Sequence, residues 1–349
     1  MKQIKLNNGK IIGEGAPVYV IAEIGINHNG DFDIAKQMIR VAAKTGVSAV
    51  KFQKRTIDEM YTKKFLSQKY NINYSFGETY GEHKHFLEFK DEQFLELQTL
   101  SKSLQLDFIV SGFDYTSFDF IENILNVPIH KIASPFVTHY PLLKQVASYG
   151  KPIILSTGMH EYEEIKNAVH YIRQFNDQIV LFLATTMYPC PDELVNLNVL
   201  KTFRTDLDVL VGYSSHDKGV ILPAASVALG ACVIEKHFTL DRTMIGPDHA
   251  ASVEPRGLEM IVKYAHGVTS GLGDSVKILQ KEEIEARKKY GVSIVSCKSL
   301  TKGHIIQNGD ITVKCPGGGI SPVNYWDLFG MKLTKDIAAD EIIYDGDIQ

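Results

Sequence analysis

Eight short apolar runs between residues 18 and 237, each ending in polar or charged groups, set the limits on what this chain can fold into. They read VIAEIG, AVKFQK, FIVSG, IHKIAS, PIILSTG, LFLATTMYP, VLVGYSSH and ACVIEKH. Each is rich in Val, Ile, Leu, Phe and Ala without clean alternation, the pattern of a strand buried on both faces of a parallel sheet. Strands are predicted over 18–24, 48–53, 107–111, 129–133, 152–156, 179–186, 208–214 and 232–237. Helix-length stretches separate them. DIAKQMIRVAAKTG places Ile34, Met38 and Val41 on one stripe, with Gly46 as the stop, and YEEIKNAVHYIRQF and ILPAASVALG follow the same logic. The fold class is therefore α/β, and eight βα units within about 270 residues predict a (β/α)8 TIM barrel. An open doubly wound sheet is disfavoured because no G-x-G-x-x-G follows the first strand.

Two segments depart from this rhythm. The connection 54–90 is far longer than ordinary βα loops and reads as a functional flap, with Tyr, Lys and His in NINYSFGETYGEHKHFLEF. After KEEIEARKKYG the chain turns to short β-like pieces punctuated by Gly, Pro and Asn. The expected domains are a barrel over 1–283, a linker over 284–290 and a small β-rich domain over 291–349. A formal net charge of -4 excludes a global field for nucleic acid or a membrane surface. The start MKQIKLNNGK has no apolar core, and the 4 cysteines show no framework spacing. A cytoplasmic protein is expected.

A barrel of this kind carries its chemistry at the C-terminal ends of its strands. Those ends supply Glu23; Lys51 and Gln53; Ser111; Lys131 and Ser134; Ser156 and Thr157; Thr186 and Tyr188; Ser214 and His216; Glu235 and His237. A lone strand-end hydroxyl is as well explained as a helix cap, but decoration of one end of every strand is not. Lys51 and Lys131, two strands apart, would repel unless an anion lies between them. The competing reading pairs each lysine with Glu23 or Glu235. Hydroxyls of Ser111, Ser134, Ser156 and Ser214, with backbone N–H groups near Gly158, would complete a phosphate or carboxylate cradle. His216 and His237 end adjacent strands and could share a divalent ion or act as general bases, with the Asp248–Ala250 segment offering further ligands.

The motifs IAEIGINHNGD, KFQK, KIAS, STGM, GYSSHD, LGACVIEKHFTLDR and GPDHAASVEP, in this order, resemble those of the sialic acid (N-acetylneuraminate) synthase family. The resemblance spans the chain and makes the C-terminal part similar to the antifreeze-like (SAF, β-clip) domain of that family. It implies condensation of phosphoenolpyruvate with N-acetylmannosamine and water, giving N-acetylneuraminate and phosphate. It further implies a catalytic Glu23 and phosphoenolpyruvate binding by Lys51 and Lys131, assisted by Ser111, Ser134, Ser156 and Ser214. A divalent cation, Mn2+ foremost with Mg2+ or Co2+ as substitutes, would sit on His216 and His237. Gln53 would reach its water shell, and Tyr188 and Asp248 would contact the sugar. A domain-swapped homodimer is implied, each small domain capping the partner's barrel.

Two positions depart from the bacterial family pattern, both on the sugar side, and the flap departs from the animal-type one. Thr186 stands where bacterial members carry Asn, and VKCPGGG places Cys315, with Lys314 beside it, where they carry Arg. The flap reads NYSFGE, with Asn73 and Glu78 where animal-type members carry lysines, which implies an unphosphorylated sugar. Legionaminic, pseudaminic or 9-phosphate synthases are the near alternatives. A metal-dependent barrel aldolase and a non-catalytic carbohydrate-binding scaffold are the distant ones.

Overall fold

The structure, a computed structural model, describes residues 2–349, the Ser215 side chain excepted. The chain divides into two compact units, Met1–Gly273 and Asp274–Gln349.

In the first unit eight parallel strands close into a barrel: β3 (Tyr19–Gly25), β4 (Ala49–Lys54), β5 (Asp107–Gly112), β6 (His130–Ile132), β7 (Ile153–Ser156), β8 (Ile179–Leu183), β9 (Leu210–Ser215) and β10 (Ala231–His237). β10 pairs back onto β3. Each predicted strand is present, because both faces of every run are buried. One face meets helices, through residues such as Val20, Val50, Val110, Leu155 and Leu181. The other fills the barrel interior, through Ile21, Ala49, Ile109, Ile154, Val180 and Val233. Two residues further along those inward rows lie Glu23, Lys51, Ser111, Ser156 and Glu235, so the period-2 pleat carries each polar group to the same end.

Two features were not expected. A hairpin of β1 (Gln3–Lys5) and β2 (Ile11–Gly13) precedes the barrel, and its Ile4, Leu6 and Ile12 plug the lower end of the interior core. The long connection after β4 contains short helices, including Ile57–Met60, Lys63–Leu66 and Tyr80–Leu87, knitted by Tyr61, Phe65, Tyr70, Tyr80, Phe76 and His83. The helix Phe32–Ala43, capped by Asp31, centres its buried face on Ala35, Met38, Ile39 and Ala42. The predicted Ile34 and Val41 are only partly buried, one helical step to the side.

The second unit begins before the expected boundary, and residues 284–290, expected as linker, form a helix within it. Its one small sheet pairs β11 (Ser293–Ser296) with β12 (Ile311–Lys314) antiparallel. A core of Ile294, Leu300, Ile306, Ile311, Leu333, Ile337 and Ile343 holds it. Among the described residues, no helix is long and apolar enough to cross a membrane.

Candidate active site

Register explains how residues remote in sequence meet. Glu23 lies opposite both Lys51 and His237, Gln53 opposite Ser111, Ser111 opposite Lys131, and Ser214 opposite Glu235. These groups open into a cavity of about 310 Å³ at the C-terminal mouth. It is lined by Glu23, Lys51, Gln53, Ser111, Lys131, Ser134, Ser156, Thr186, Tyr188, Ser214, His216, Glu235, His237 and Asp248, whereas Thr157, also read at a strand end, lies outside it and donates to the Phe182 carbonyl at 2.7 Å. A roomier cavity of about 630 Å³ lies by the N-terminal hairpin. Its charged groups are already paired, Arg204 with Glu14 at 2.6 Å and Lys2 with Asp208 at 2.9 Å. The chemistry therefore belongs to the mouth.

The two lysines are not equivalent. Lys51 Nζ lies 2.8 Å from Glu23 Oε2 and 3.7 Å from Glu235 Oε1, and donates to Ser111 Oγ at 2.8 Å. For this lysine the ion-pair reading holds, correcting the expectation that an anion alone balances it. Lys131 donates to Ser156 Oγ at 2.6 Å and to the Ile132 carbonyl at 3.4 Å, with no carboxylate in ion-pair range among the described residues. Burial pushes its ammonium down to about 8. Burial raises the Glu23 carboxyl to about 7, against the pull of Lys51 and with a further push from Glu235. Glu235 is held below its ordinary range, because Lys131 and Lys51 together outweigh its burial.

The hydroxyls divide by role. Ser111 and Ser156 accept from the lysines, Ser134 Oγ accepts the Gly158 N–H at 3.0 Å, and Ser214 donates to Glu235 at 3.1 Å. A Cβ at Gly158 would press on Thr186 Oγ1 and crowd Ser134 Oγ at 3.1 Å, so a larger residue there would have to displace these hydroxyls of the mouth.

The rings of His216 and His237 stand 5.4 Å apart, and Tyr188 packs 3.8 Å from the first and 6.0 Å from the second. His216 Nδ1 lies 2.7 Å from the Thr185 carbonyl, so Nδ1 carries the proton and Nε2 the lone pair. Burial, and then His237, hold His216 down to about 4, and burial lowers His237 as well, so both rings are neutral. His237 Nδ1 is buried without a hydrogen bond, 3.8 Å from Asp248 Oδ2. Two neutral imidazoles with free lone pairs fit a divalent cation. Among the described residues no cluster of three His, Cys, Asp or Glu could hold one alone. Substrate or water would have to supply the remaining ligands. His249, part of the suggested extra ligand segment, is instead bonded to Thr239 at 2.7 Å and lies outside this cavity.

Gln53 donates to Glu23 Oε1 at 2.8 Å and accepts from Arg55, so it orients the carboxylate, whatever else it reaches. Glu235 and Lys236 point to opposite faces of β10, and Lys236 meets Asp217 at 3.0 Å in a pair with no solvent exposure. Lys314 and Cys315 belong to the second unit, Lys314 paired with Asp340 and the exposed Cys315 Sγ 3.7 Å from the Tyr290 carbonyl. Sequence reasoning missed Arg55 and Lys84, which line the mouth. The signal for Arg55 was the 51, 53, 55 alternation.

The NeuB family model matches residues 38–277 and the SAF domain model residues 291–349. The chain is 35% identical over 345 residues to the N-acetylneuraminate-9-phosphate synthase of Homo sapiens, covering 98% of this chain and 96% of that one. It is 37% identical over 328 residues to the N,N'-diacetyllegionaminic acid synthase of Campylobacter jejuni, covering 93% and 98%. Its fold is similar to that of the sialic acid synthetase of Leptospira borgpetersenii solved in complex with citrate, with a TM-score of 0.72 and 32% identity over 82% of this chain and 95% of that one. Barrel, rim and small domain together agree with the family match, and the chain belongs to the NeuB family of sialic acid and related nonulosonate synthases, with a SAF domain after its barrel.

Proposed function

We propose that the chain condenses phosphoenolpyruvate with the open-chain aldehyde of an N-acetylmannosamine unit and water, giving an N-acetylneuraminate skeleton and inorganic phosphate. The observation that carries this reading is the buried Lys131, which among the described residues donates to a hydroxyl and a carbonyl and has no carboxylate in ion-pair range, beside a polar cradle. Lys51, Lys131, Ser111, Ser134 and Ser156 would hold the donor's phosphate and carboxylate, with the Gly158 N–H orienting Ser134 Oγ. Carbon 3 of the donor attacks the aldehyde carbon, water adds at carbon 2, and phosphate leaves with C–O cleavage. Glu23, with its carboxyl near neutrality, is suited to pass the proton that this sequence moves. Tyr188 and Asp248 would contact the sugar, with Thr186 beside them.

His216 and His237 would hold a divalent cation, Mn2+ foremost, which when bound supplies Lewis-acid polarisation of the aldehyde oxygen. We expect dialysis against chelator to abolish turnover and Mn2+ to restore it, with His216→Ala and His237→Ala each failing to bind Mn2+ in a calorimetric titration. Full activity in chelator would contradict the role. A homodimer in which Lys314 and Cys315 of each small domain serve the partner's mouth belongs to the same reading. Sedimentation showing a fully active monomer would remove that part.

The test of function is phosphate release from phosphoenolpyruvate with a panel of acceptors. Release that requires N-acetylmannosamine or its 6-phosphate is expected. Release that requires a 2,4-diacetamido sugar would make the chain a legionaminic- or pseudaminic-type synthase, and release without any sugar would point to another class.

A further inference from the structure

Residues 51, 53 and 55 share one face at the end of β4, so Arg55 stands above Lys51 and Gln53 on the way out of the barrel. Its side chain is only 8% exposed, and its guanidinium lies 4.0 Å from the centre of the Phe113 ring. One terminal nitrogen donates to Gln53 Oε1, the other lies 4.0 Å from Glu88 Oε2, and Nε has no partner. Lys84, from the helix Tyr80–Leu87, lines the same cavity. No carboxylate is within ion-pair range of it among the described residues. Burial, and next the nearby Arg55, hold the Lys84 ammonium down to about 8. The carboxylates around the pair compensate weakly. Burial raises Glu88 to about 7, and Asp248 acts on Lys84 only through space. His83 beside them is held neutral by burial, at about 4. Two cations facing one volume, one with an unmatched buried N–H, are stable together when an anion joins them.

We propose that Arg55 and Lys84 form a second anion subsite, separate from Lys51 and Lys131, which takes a phosphate at the end of the acceptor sugar remote from its aldehyde. This rests on the synthase reading and makes a 6-phosphorylated N-acetylmannosamine the preferred acceptor. A guanidinium and an ammonium together match the charge and the several oxygens of a phosphate better than those of a single carboxylate. The sequence-based expectation of an unphosphorylated sugar relied on Asn73 and Glu78. Both are exposed and neither lines the cavity, so the charge at those positions does not read the substrate. The cations that do line it come from elsewhere in the same connection.

The test is steady-state kinetics of the full-length, metal-loaded protein with N-acetylmannosamine, its 6-phosphate and its 6-carboxylate (the mannosaminuronate). The wild type is expected to favour the 6-phosphate in kcat/KM by on the order of 100-fold over the neutral sugar. Arg55→Gln and Lys84→Met should each erase most of that preference through KM for the phosphorylated sugar, leaving KM for phosphoenolpyruvate unchanged. Arg55→Lys should restore part of it. Equal use of both sugars, preference for the carboxylate, or variants that lose both sugars alike would overturn the subsite while leaving the synthase reading intact. Failure of every acceptor to release phosphate would overturn the synthase reading and the subsite with it. If Arg55→Gln does not fold, Lys84→Met, on a separate helix, decides the matter alone.

Discussion

At the scale of single residues, the mouth of the barrel keeps buried charges close to their switching points. Lys131 is buried among Ser156, Phe182 and the Ile132 carbonyl, with its ammonium held down to about 8. Below that pH it is a cation able to hold an anion; above it the charge is lost. We therefore expect kcat/KM for phosphoenolpyruvate to fall about tenfold per pH unit above 8. Lys131→Arg, which cannot deprotonate in this range, should move that alkaline limb upward. An alkaline limb identical in the variant would show that another group sets it. Which residues gather at the mouth was legible in the sequence, because apolar runs that stop on Lys, His and Glu are costly unless those groups have partners or a task. Whether Lys51 would be paired was not legible, since that depends on Glu23 on the neighbouring strand and Glu235 one strand further. Arg55 was hidden for another reason: it follows the strand, and a cation beside a loop is ordinarily a solvated one.

At the scale of elements, adjacent strands β9 and β10 present His216 and His237 inward and a buried lock outward. Lys236 and Asp217, each a chain neighbour of one of those histidines, are paired at 3.0 Å, and Tyr213 Oη donates to Asp217 at 3.0 Å. Lys236→Met would leave a buried carboxylate without its cation, and a loss of about 3–5 kcal/mol is expected in urea denaturation. The double variant Asp217→Leu/Lys236→Met should lose less. A single variant as stable as the wild type would mean that the pair does not hold these strand ends. The barrel strands were legible because both faces of each are buried, which leaves a continuous apolar run. The hairpin of β1 and β2 was not, because its strands are three residues long, below the length at which alternation can be read. The helices of the long connection were hidden among polar residues, and aromatic contacts made only in the folded state hold them.

At the scale of the whole molecule, closure of the barrel is what turns scattered motifs into one site. Lys51 and Lys131 are 80 positions apart in the sequence, yet each stands beside β5 and faces the same cavity. The eightfold alternation announced that closure, and pleat and register then did the gathering. The depth of the mouth and the cations of its upper wall were beyond pattern reading, since they depend on how residues 54–90 pack over the rim. The most direct test of the account is a calorimetric titration of phosphoenolpyruvate into the acceptor-free protein and its Lys51→Met and Lys131→Met variants. One site per chain is predicted, weakened on the order of 100-fold by either substitution and little further by both together. Unchanged affinity in either single variant would mean that the two lysines do not grip a common anion, and would contradict the account at its centre.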